Sequence, residues 1–139
     1  MNIKECLEKG LLRKENIDLE KAKKSMQIAE YKLERAKKLF ELDIYDESVV
    51  NSYASMFHTC RALLFKEGFT EKSHYALFIF IKEKYKDKIE KKFINEFNNL
   101  RLERHEITYG LDKFIVNKEE TKQVLEITKD FLEVIKKLI

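Results

Sequence analysis

Proline is absent from all 139 residues of this chain, and glycine occurs only at Gly10, Gly68 and Gly110. These two residue types are the usual punctuation of strands, turns and loops. Their scarcity, together with abundant Lys, Glu and Leu, predicts long helices joined by a few short turns. Because a chain of this length suits one domain with its own core, the sequence predicts a single all-α domain over residues 1–139.

The charges are numerous and nearly balanced, with 28 Lys and Arg against 25 Asp and Glu and a net charge of +3. So small an excess does not by itself indicate a nucleic-acid partner, because phosphate binding needs a local basic surface. No apolar run approaches the ~20 residues of a membrane span, and Met1–Lys9 lacks the apolar stretch of a signal peptide. We therefore expect a cytoplasmic protein with no membrane segment and with Cys6 and Cys60 reduced.

Capping residues and apolar spacing divide the chain into a short N-terminal helix and four to five main helices with short links, which predicts an antiparallel helical bundle. Residues 1–17 are predicted to hold the short helix and a link, and Asp18 opens the first main helix. The second main helix is apolar over a wide arc and ends at Gly68 with a left-handed cap. The later helices carry three apolar sets: Leu77, Phe80, Ile81 and Tyr85; Phe93, Phe97, Leu100 and Ile107; and Val124, Ile127, Phe131, Val134 and Leu138.

The most concentrated polar chemistry lies in the run Arg101–Gly110, at the end of a predicted helix. Within it, Arg101 and His105 are four residues apart and share a helix face, and Tyr109 follows at the fraying end. An Arg holds a phosphate by two parallel hydrogen bonds, a His moves a proton near neutral pH, and a Tyr hydroxyl donates to a phosphate oxygen. Such groups suit phosphodiester chemistry without a metal. The alternative is an ordinary charged helix end with Arg–Glu pairs.

The three histidines do not stand at zinc-ligand spacing with a Cys or with one another, so no metal site and no cofactor are predicted. His58 adjoins Phe57 on the core helix, where a hydrogen-bonded structural histidine is expected. His74 lies in the first turn of a helix and is predicted to be a cap or a surface group. Tyr53 is predicted to be a core aromatic residue with its hydroxyl at an edge.

Several segments resemble the HEPN domain family. The run Ser52–Leu64 resembles the second-helix segment of HEPN domains, and the turn at Gly68–Phe69 followed by Ser73–His74 is also similar to the family. The run Arg104–Gly110 falls where the family carries its arginine motif. The order and spacing of these motifs extend the similarity over residues 19–139, closest to the branch that stands alone without a fused enzyme.

The resemblance implies a bundle of four or five helices that forms a dimer, with two arginine motifs brought together across a two-fold axis. Many active family members are metal-independent ribonucleases whose motif is an Arg followed, after four to six residues, by a His. Arg104 matches the motif Arg, but the position five residues further on is Tyr109, which is a poor proton shuttle near neutral pH. His105 lies beside Arg104, and the family motif does not make it the substitute.

Three hypotheses stay open on the sequence. In the first, the chain is the dimeric component of a toxin–antitoxin-type pair with a minimal nucleotidyltransferase from an adjacent gene, and Tyr109 is the candidate acceptor of attached nucleotides. In the second, it is a metal-independent ribonuclease that uses Arg104 with His105 or Tyr109 as its catalytic residues. In the third, it binds nucleotides or RNA through Arg101 and Arg104 without catalysis.

Overall fold

A computed structural model describes all 139 residues and contains six helices and one two-stranded sheet. It confirms the predicted all-α helical bundle with a short N-terminal helix. The helices are α1 (Ile3–Glu8), α2 (Leu19–Glu41), α3 (Tyr45–Glu67), α4 (His74–Lys84), α5 (Lys91–Tyr109) and α6 (Lys118–Lys136). The strands are β1 (Leu12–Lys14) and β2 (Phe69–Glu71).

Short polar side chains fix where four of the helices begin. Asn2, Asp18, Ser73 and Asn117 each accept a hydrogen bond from the backbone N–H three residues further on. Each of these bonds satisfies an N–H that has no partner within its own helix. At the other end of α3, Gly68 adopts the predicted left-handed conformation with φ of 84°.

Helix α3 lies at the centre of the bundle and contacts α2, α4, α5 and α6. Its longest contact is with α2, which precedes it across a short turn. Two buried serines of α3 donate hydrogen bonds to α2 carbonyl oxygens at 2.7 Å, Ser48 to Ala36 and Ser55 to Ala29. Small residues on both helices allow this close approach, and the two bonds satisfy hydroxyls that burial would otherwise leave unpaired.

Helix α4 is apolar on every side. All six residues of its central segment, Ala76–Ile81, are buried, as expected for a helix without a polar face. It is covered by α1, α3 and α5. None of the helices in the structure combines the length and the apolar character needed to cross a lipid bilayer.

The two-stranded sheet was not predicted, because residues 1–17 were expected to contain only a helix and a link. Strand β1 pairs antiparallel with β2, with Leu12 opposite Glu71. The pairing is continued by the Glu15 N–H, which donates to the Gly68 carbonyl at 2.9 Å. Strands of three residues are too short to show an alternating pattern in the sequence, so only the tertiary contacts reveal them.

The predicted apolar stripe of α6 faces the core only in part. Phe131 is fully buried, but two threonines, Thr121 and Thr128, are buried with it and donate their hydroxyls to carbonyls one turn earlier. The other four residues of the stripe, Val124, Ile127, Val134 and Leu138, are half-buried. Two of them, Val124 and Ile127, line a groove between α5 and α6 together with Glu96, Glu103 and Glu120.

Candidate functional site

A groove of about 270 Å³ opens beside the C-terminal half of α5, and we call it the Arg104 groove. Four helices supply its walls: α2, α3, α4 and α5. The side chains with polar or aromatic chemistry are Lys32, Tyr53, Phe57, His58, His74 and Arg104. The predicted motif arginine therefore lies in a concave site and not on a convex helix surface.

The Arg104 guanidinium is half-buried and lies over aromatic rings. Its central carbon is 5.7 Å from the centroid of the Tyr53 ring and 5.9 Å from that of Tyr109. None of the six ion pairs in the chain includes Arg104 or Arg101, so the Arg–Glu pairs considered from the sequence are not present at these two arginines. The charge of Arg104 is therefore free to meet an external anion.

His74 is held in place by the core helix α3. Its Nδ1 lies 2.7 Å from the Tyr53 hydroxyl, and its ring stacks on Phe57 with centroids 4.2 Å apart. The prediction of a cap or surface group was wrong, because Ser73 is the cap and the His74 ring turns into the groove wall. Burial, aided by the charge of Arg104, lowers the pKa of His74, which favours a neutral imidazole at pH 7.

Tyr53 confirms its prediction as a core aromatic residue with an edge hydroxyl, since its side chain is buried and the hydroxyl reaches His74. Burial raises the pKa of Tyr53 far above its usual range, so the hydroxyl keeps its proton. A protonated hydroxyl on Nδ1 fixes the orientation of the imidazole ring. The other ring nitrogen of His74, Nε2, is then the atom left to exchange a proton with a ligand.

His58 was predicted to be a hydrogen-bonded structural histidine, but its buried Nδ1 atom has no hydrogen-bond partner in the protein. Burial, together with the positive charges of Arg61 and Lys32, lowers the pKa of His58 to about 4. The ring is therefore neutral at pH 7, and it belongs to the wall of the Arg104 groove.

Arg101 does not line the Arg104 groove with Arg104. Its Nε and Nη2 donate to the Asn98 side-chain oxygen at 3.1 and 2.9 Å, and its guanidinium lies 5.2 Å from the Tyr75 ring centroid. Because Asn98 is neutral, the positive charge of Arg101 is oriented but not cancelled. That charge contributes to lowering the pKa of His74.

His105 and Tyr109 lie together at the exposed end of α5, with ring centroids 5.1 Å apart. Tyr109 is 62% exposed, so its hydroxyl is reachable from solvent. Its ring also lies over the Arg104 guanidinium, which places it at the rim of the groove. His105 is exposed and is not among the residues that line the groove.

Among the residues that line the groove, only Arg104 was predicted as a site residue, whereas Tyr53, His58 and His74 were given structural or surface roles. Lys32 belongs to a charged face of α2, and only the packing of α2 on α3 brings it to the groove. His74 comes from the start of α4, thirty residues before Arg104 in the chain. The structure contains no cluster of three or more His, Cys, Asp or Glu side chains with metal-binding geometry.

The groove offers positive charges at Arg104 and Lys32, a neutral imidazole at His74 and aromatic faces. This set can bind a phosphate and move a proton beside it.

In comparisons with known proteins, the family model of the HEPN domain matches residues 22–138. A protein of Methanocaldococcus jannaschii with the name "Putative toxin MJ0605" is 30% identical over 119 residues, which cover 82% of this chain and 85% of that protein.

Proposed function

The chain belongs to the HEPN domain family, and on that premise we propose that it is the toxin of a toxin–antitoxin pair and acts on RNA at the Arg104 groove. The name of the archaeal relative supports the toxin role. One observation carries the RNA-directed part: the Arg104 guanidinium lines the groove with no carboxylate partner, next to the neutral His74.

A phosphate diester is the ligand that best matches these groups. A guanidinium presents two parallel N–H donors that fit two phosphate oxygens, and partial burial strengthens the attraction because less water screens it. Lys32 adds a second positive charge on the α2 side of the groove. The site therefore favours an anion with spread charge, such as a phosphodiester in RNA.

Cleavage without a metal follows from the same groups. The 2′-hydroxyl oxygen of RNA attacks the adjacent phosphorus and loses its proton, while the bond to the 5′ oxygen breaks and that oxygen gains a proton. The products are a 2′,3′-cyclic phosphate and a 5′-hydroxyl. Arg104 would stabilise the charge on the non-bridging oxygens, and His74 Nε2 would transfer a proton, with His105 and Tyr109 as further candidates at the rim.

The test is cleavage of single-stranded RNA in EDTA. We expect Arg104→Ala to abolish cleavage, and Arg104→Lys to lower it because the charge remains but the two-pronged donor is lost. His74→Gln and His105→Gln identify which imidazole moves the proton. Arg35→Ala, at an exposed arginine of α2, is the matched control and should leave the rate unchanged. RNA that stays intact at high protein concentration, or full cleavage by Arg104→Ala, contradicts the ribonuclease proposal.

The partner in this proposal is a minimal nucleotidyltransferase that restrains the toxin. Tyr109 is the proposed acceptor, because its side chain is exposed and its ring centroid lies 5.9 Å from the Arg104 guanidinium carbon. In the modification, the Tyr109 oxygen bonds to the α-phosphorus of a nucleoside triphosphate, its proton goes to solvent, and pyrophosphate leaves. The attached phosphate would then occupy the position next to Arg104 and block RNA.

Co-expression with the product of the adjacent gene tests this pairing. We expect the two proteins to copurify and the chain to gain the mass of one or more nucleotidyl groups. Tyr109→Phe should remove the added mass, whereas Tyr31→Phe, at a tyrosine of α2 that is 57% exposed, should retain it. An unchanged mass gain in Tyr109→Phe would rule out Tyr109 as the acceptor.

Homodimerisation belongs to the same proposal. Several large apolar side chains near the end of α5 are exposed, among them Leu102, Leu111 and Ile115, and their burial in a dimer would be favourable. Light scattering after size exclusion measures the mass directly. A monomer at tens of micromolar, by the usual scale of dimer affinities, would contradict the proposal.

Nucleotide binding without catalysis is the second candidate, favoured by the lack of carboxylate partners at both Arg101 and Arg104. It predicts that nucleotides bind while RNA remains uncut. Arg101→Ala combined with Arg104→Ala should then abolish binding, as measured by calorimetry. Nucleotide affinity that survives the double substitution would exclude this candidate.

A further inference from the structure

A second cavity, of about 230 Å³, adjoins the Arg104 groove, and His58 lines both. We call it the Arg61 cavity. Three of its lining residues are cationic and none is a carboxylate, although the chain as a whole has nearly equal numbers of both. The residues that matter here are Lys21, Lys24, Ile28, His58, Arg61 and Phe65.

The cations of the Arg61 cavity are in part preorganised. Arg61 Nε lies 2.7 Å from the Glu71 carboxylate, and the guanidinium stacks near Phe57 and Phe65 with its central carbon 5.6 and 5.1 Å from the ring centroids. Lys21 Nζ lies 5.6 Å from the centroid of the same Phe65 ring. Arg61 is therefore held before any ligand arrives, which lowers the entropic cost of binding.

The two lysines have no ion-pair partner. Neither Lys21 nor Lys24 takes part in any of the six ion pairs of the chain. Both lie on the exposed face of α2 at the cavity mouth. The buried Nδ1 of His58, between this cavity and the Arg104 groove, also lacks a partner. The two lysines therefore carry positive charge that no carboxylate of the chain neutralises, whereas the charge of Arg61 is paired with Glu71.

The two cavities lie along the same helix. Tyr53, beneath Arg104, and Arg61 are eight residues apart on α3, which corresponds to about 12 Å at the rise of an α-helix. A few nucleotides of one strand can span this distance. Within the Arg61 cavity, the exposed side of Ile28 and the half-buried ring of Phe65 offer apolar surface for bases.

We infer that the Arg61 cavity is a second phosphate subsite for single-stranded RNA, so that one strand crosses His58 with one phosphate at Arg104 and another at Lys21, Lys24 and Arg61. The inference rests on the proposed function, because it takes the Arg104 groove as the first subsite. A strand that reaches both sites binds more tightly than a single nucleotide. The second subsite thus selects oligonucleotides over free nucleotides of the same chemistry.

Two probes separate the subsites: a fluorescent 12-nucleotide 2′-O-methyl oligouridylate, which cannot be cleaved, and the dinucleotide UpU, which has one phosphodiester. Binding is measured by anisotropy for the first and calorimetry for the second, over a series of salt concentrations. The variant is Lys21→Gln with Lys24→Gln. The control, Lys23→Gln with Lys38→Gln, removes the same charge from exposed positions of α2 that line neither cavity.

We expect Lys21→Gln with Lys24→Gln to weaken 12-mer binding about tenfold and to reduce the salt slope by about 1.4, from two lost contacts at about 0.7 each. UpU affinity should stay within about twofold of the wild type, and the control should bind both probes normally. Arg104→Ala should weaken both probes. Arg61 is left intact because its removal would leave the buried Glu71 carboxylate without its counter-charge.

The alternative results point to different failures. If the Lys21 and Lys24 double variant binds the 12-mer as the control does, the second subsite is wrong, and loss of binding in Arg104→Ala would leave the proposed function standing. If Arg104→Ala binds both probes at full affinity, the proposed function fails and the two-site path fails with it. A wild-type protein that binds neither probe overturns both. Circular dichroism of each variant verifies that the helical fold is retained.

Discussion

Replacing Gly68 by Ala should destabilise the protein through two separate costs. The first is conformational, because Gly68 has φ of +84° and a residue with a Cβ disfavours the left-handed region by about 1 kcal/mol. The second is steric, because the new Cβ would lie 3.0 Å from the Glu15 carbonyl oxygen and 3.3 Å from Ile17 Cγ1. The Glu15 backbone cannot retreat freely, since its N–H is bonded to the Gly68 carbonyl at 2.9 Å.

Gly10→Ala is the matched control. Gly10 has φ of +72°, but a Cβ there would meet no atom within 4 Å, so only the conformational cost applies. We expect a loss of about 1 kcal/mol in the free energy of unfolding for Gly10→Ala and about 2–3 kcal/mol for Gly68→Ala. At roughly 4 °C per kcal/mol, the two melting temperatures should differ by about 4–8 °C.

Urea unfolding followed by circular dichroism at 222 nm gives both free energies under the same conditions. The difference between the two variants reports the contact between the α3 cap and the segment around Glu15. Equal losses in Gly10→Ala and Gly68→Ala would refute the reasoning, because they would mean that this contact costs nothing to disturb. A change in the urea slope would instead indicate altered compactness of the unfolded chain.

Three further predictions concern polar groups that are buried or half-buried. The folded-state pKa of His58 is about 4, below the ordinary 6.5, so the wild-type protein loses stability as pH falls from 6.5 to 4. His58→Gln cannot take up this proton, so its loss of stability between pH 7 and pH 4 should be smaller by about 1–2 kcal/mol, after discounting for partial exposure. Urea unfolding at the two pH values measures the difference. Burial is the main cause that raises the pKa of Glu103, and the negative charge of Glu96 is the next, so the protein loses stability as this carboxyl ionises above pH 4.5. Glu103→Gln should therefore stabilise the protein by up to about 1 kcal/mol at pH 7 and not at pH 4. An equal gain at both pH values would contradict this. Tyr53→Phe should cost about 1 kcal/mol by removing the bond to His74, with helix content unchanged, and undiminished stability would show that water replaces the hydroxyl.

The features that could be predicted from the sequence are those decided within a few residues. The caps at Asn2, Asp18 and Asn117 depend on a side chain and an N–H three positions away, and the left-handed end of α3 depends on Gly68 alone. Strand β1 could not be predicted because Leu12–Lys14 is too short to carry a pattern, and its partner lies more than fifty residues further along the chain.

The same distinction applies to the candidate site. Arg104 and Tyr109 are close in sequence, and their contact follows from one helix end. The bond from Arg101 to Asn98 is also local, at a spacing of three residues, and could have been anticipated from helix geometry. His74 and Lys32 reach the groove only because α4 and α2 pack on α3, which no spacing in the sequence encodes.

The pairing of β1 with β2 has a consequence for where the chain can be shortened. The family match begins at residue 22, beyond β1. A protein cut at that point would leave the backbone N–H and carbonyl groups of β2 with no strand beside them and would uncover the apolar surface beneath Leu12. An open strand edge next to exposed apolar surface is a template for pairing between molecules. Residues 1–17 therefore cover this edge of β2 and disfavour self-association there.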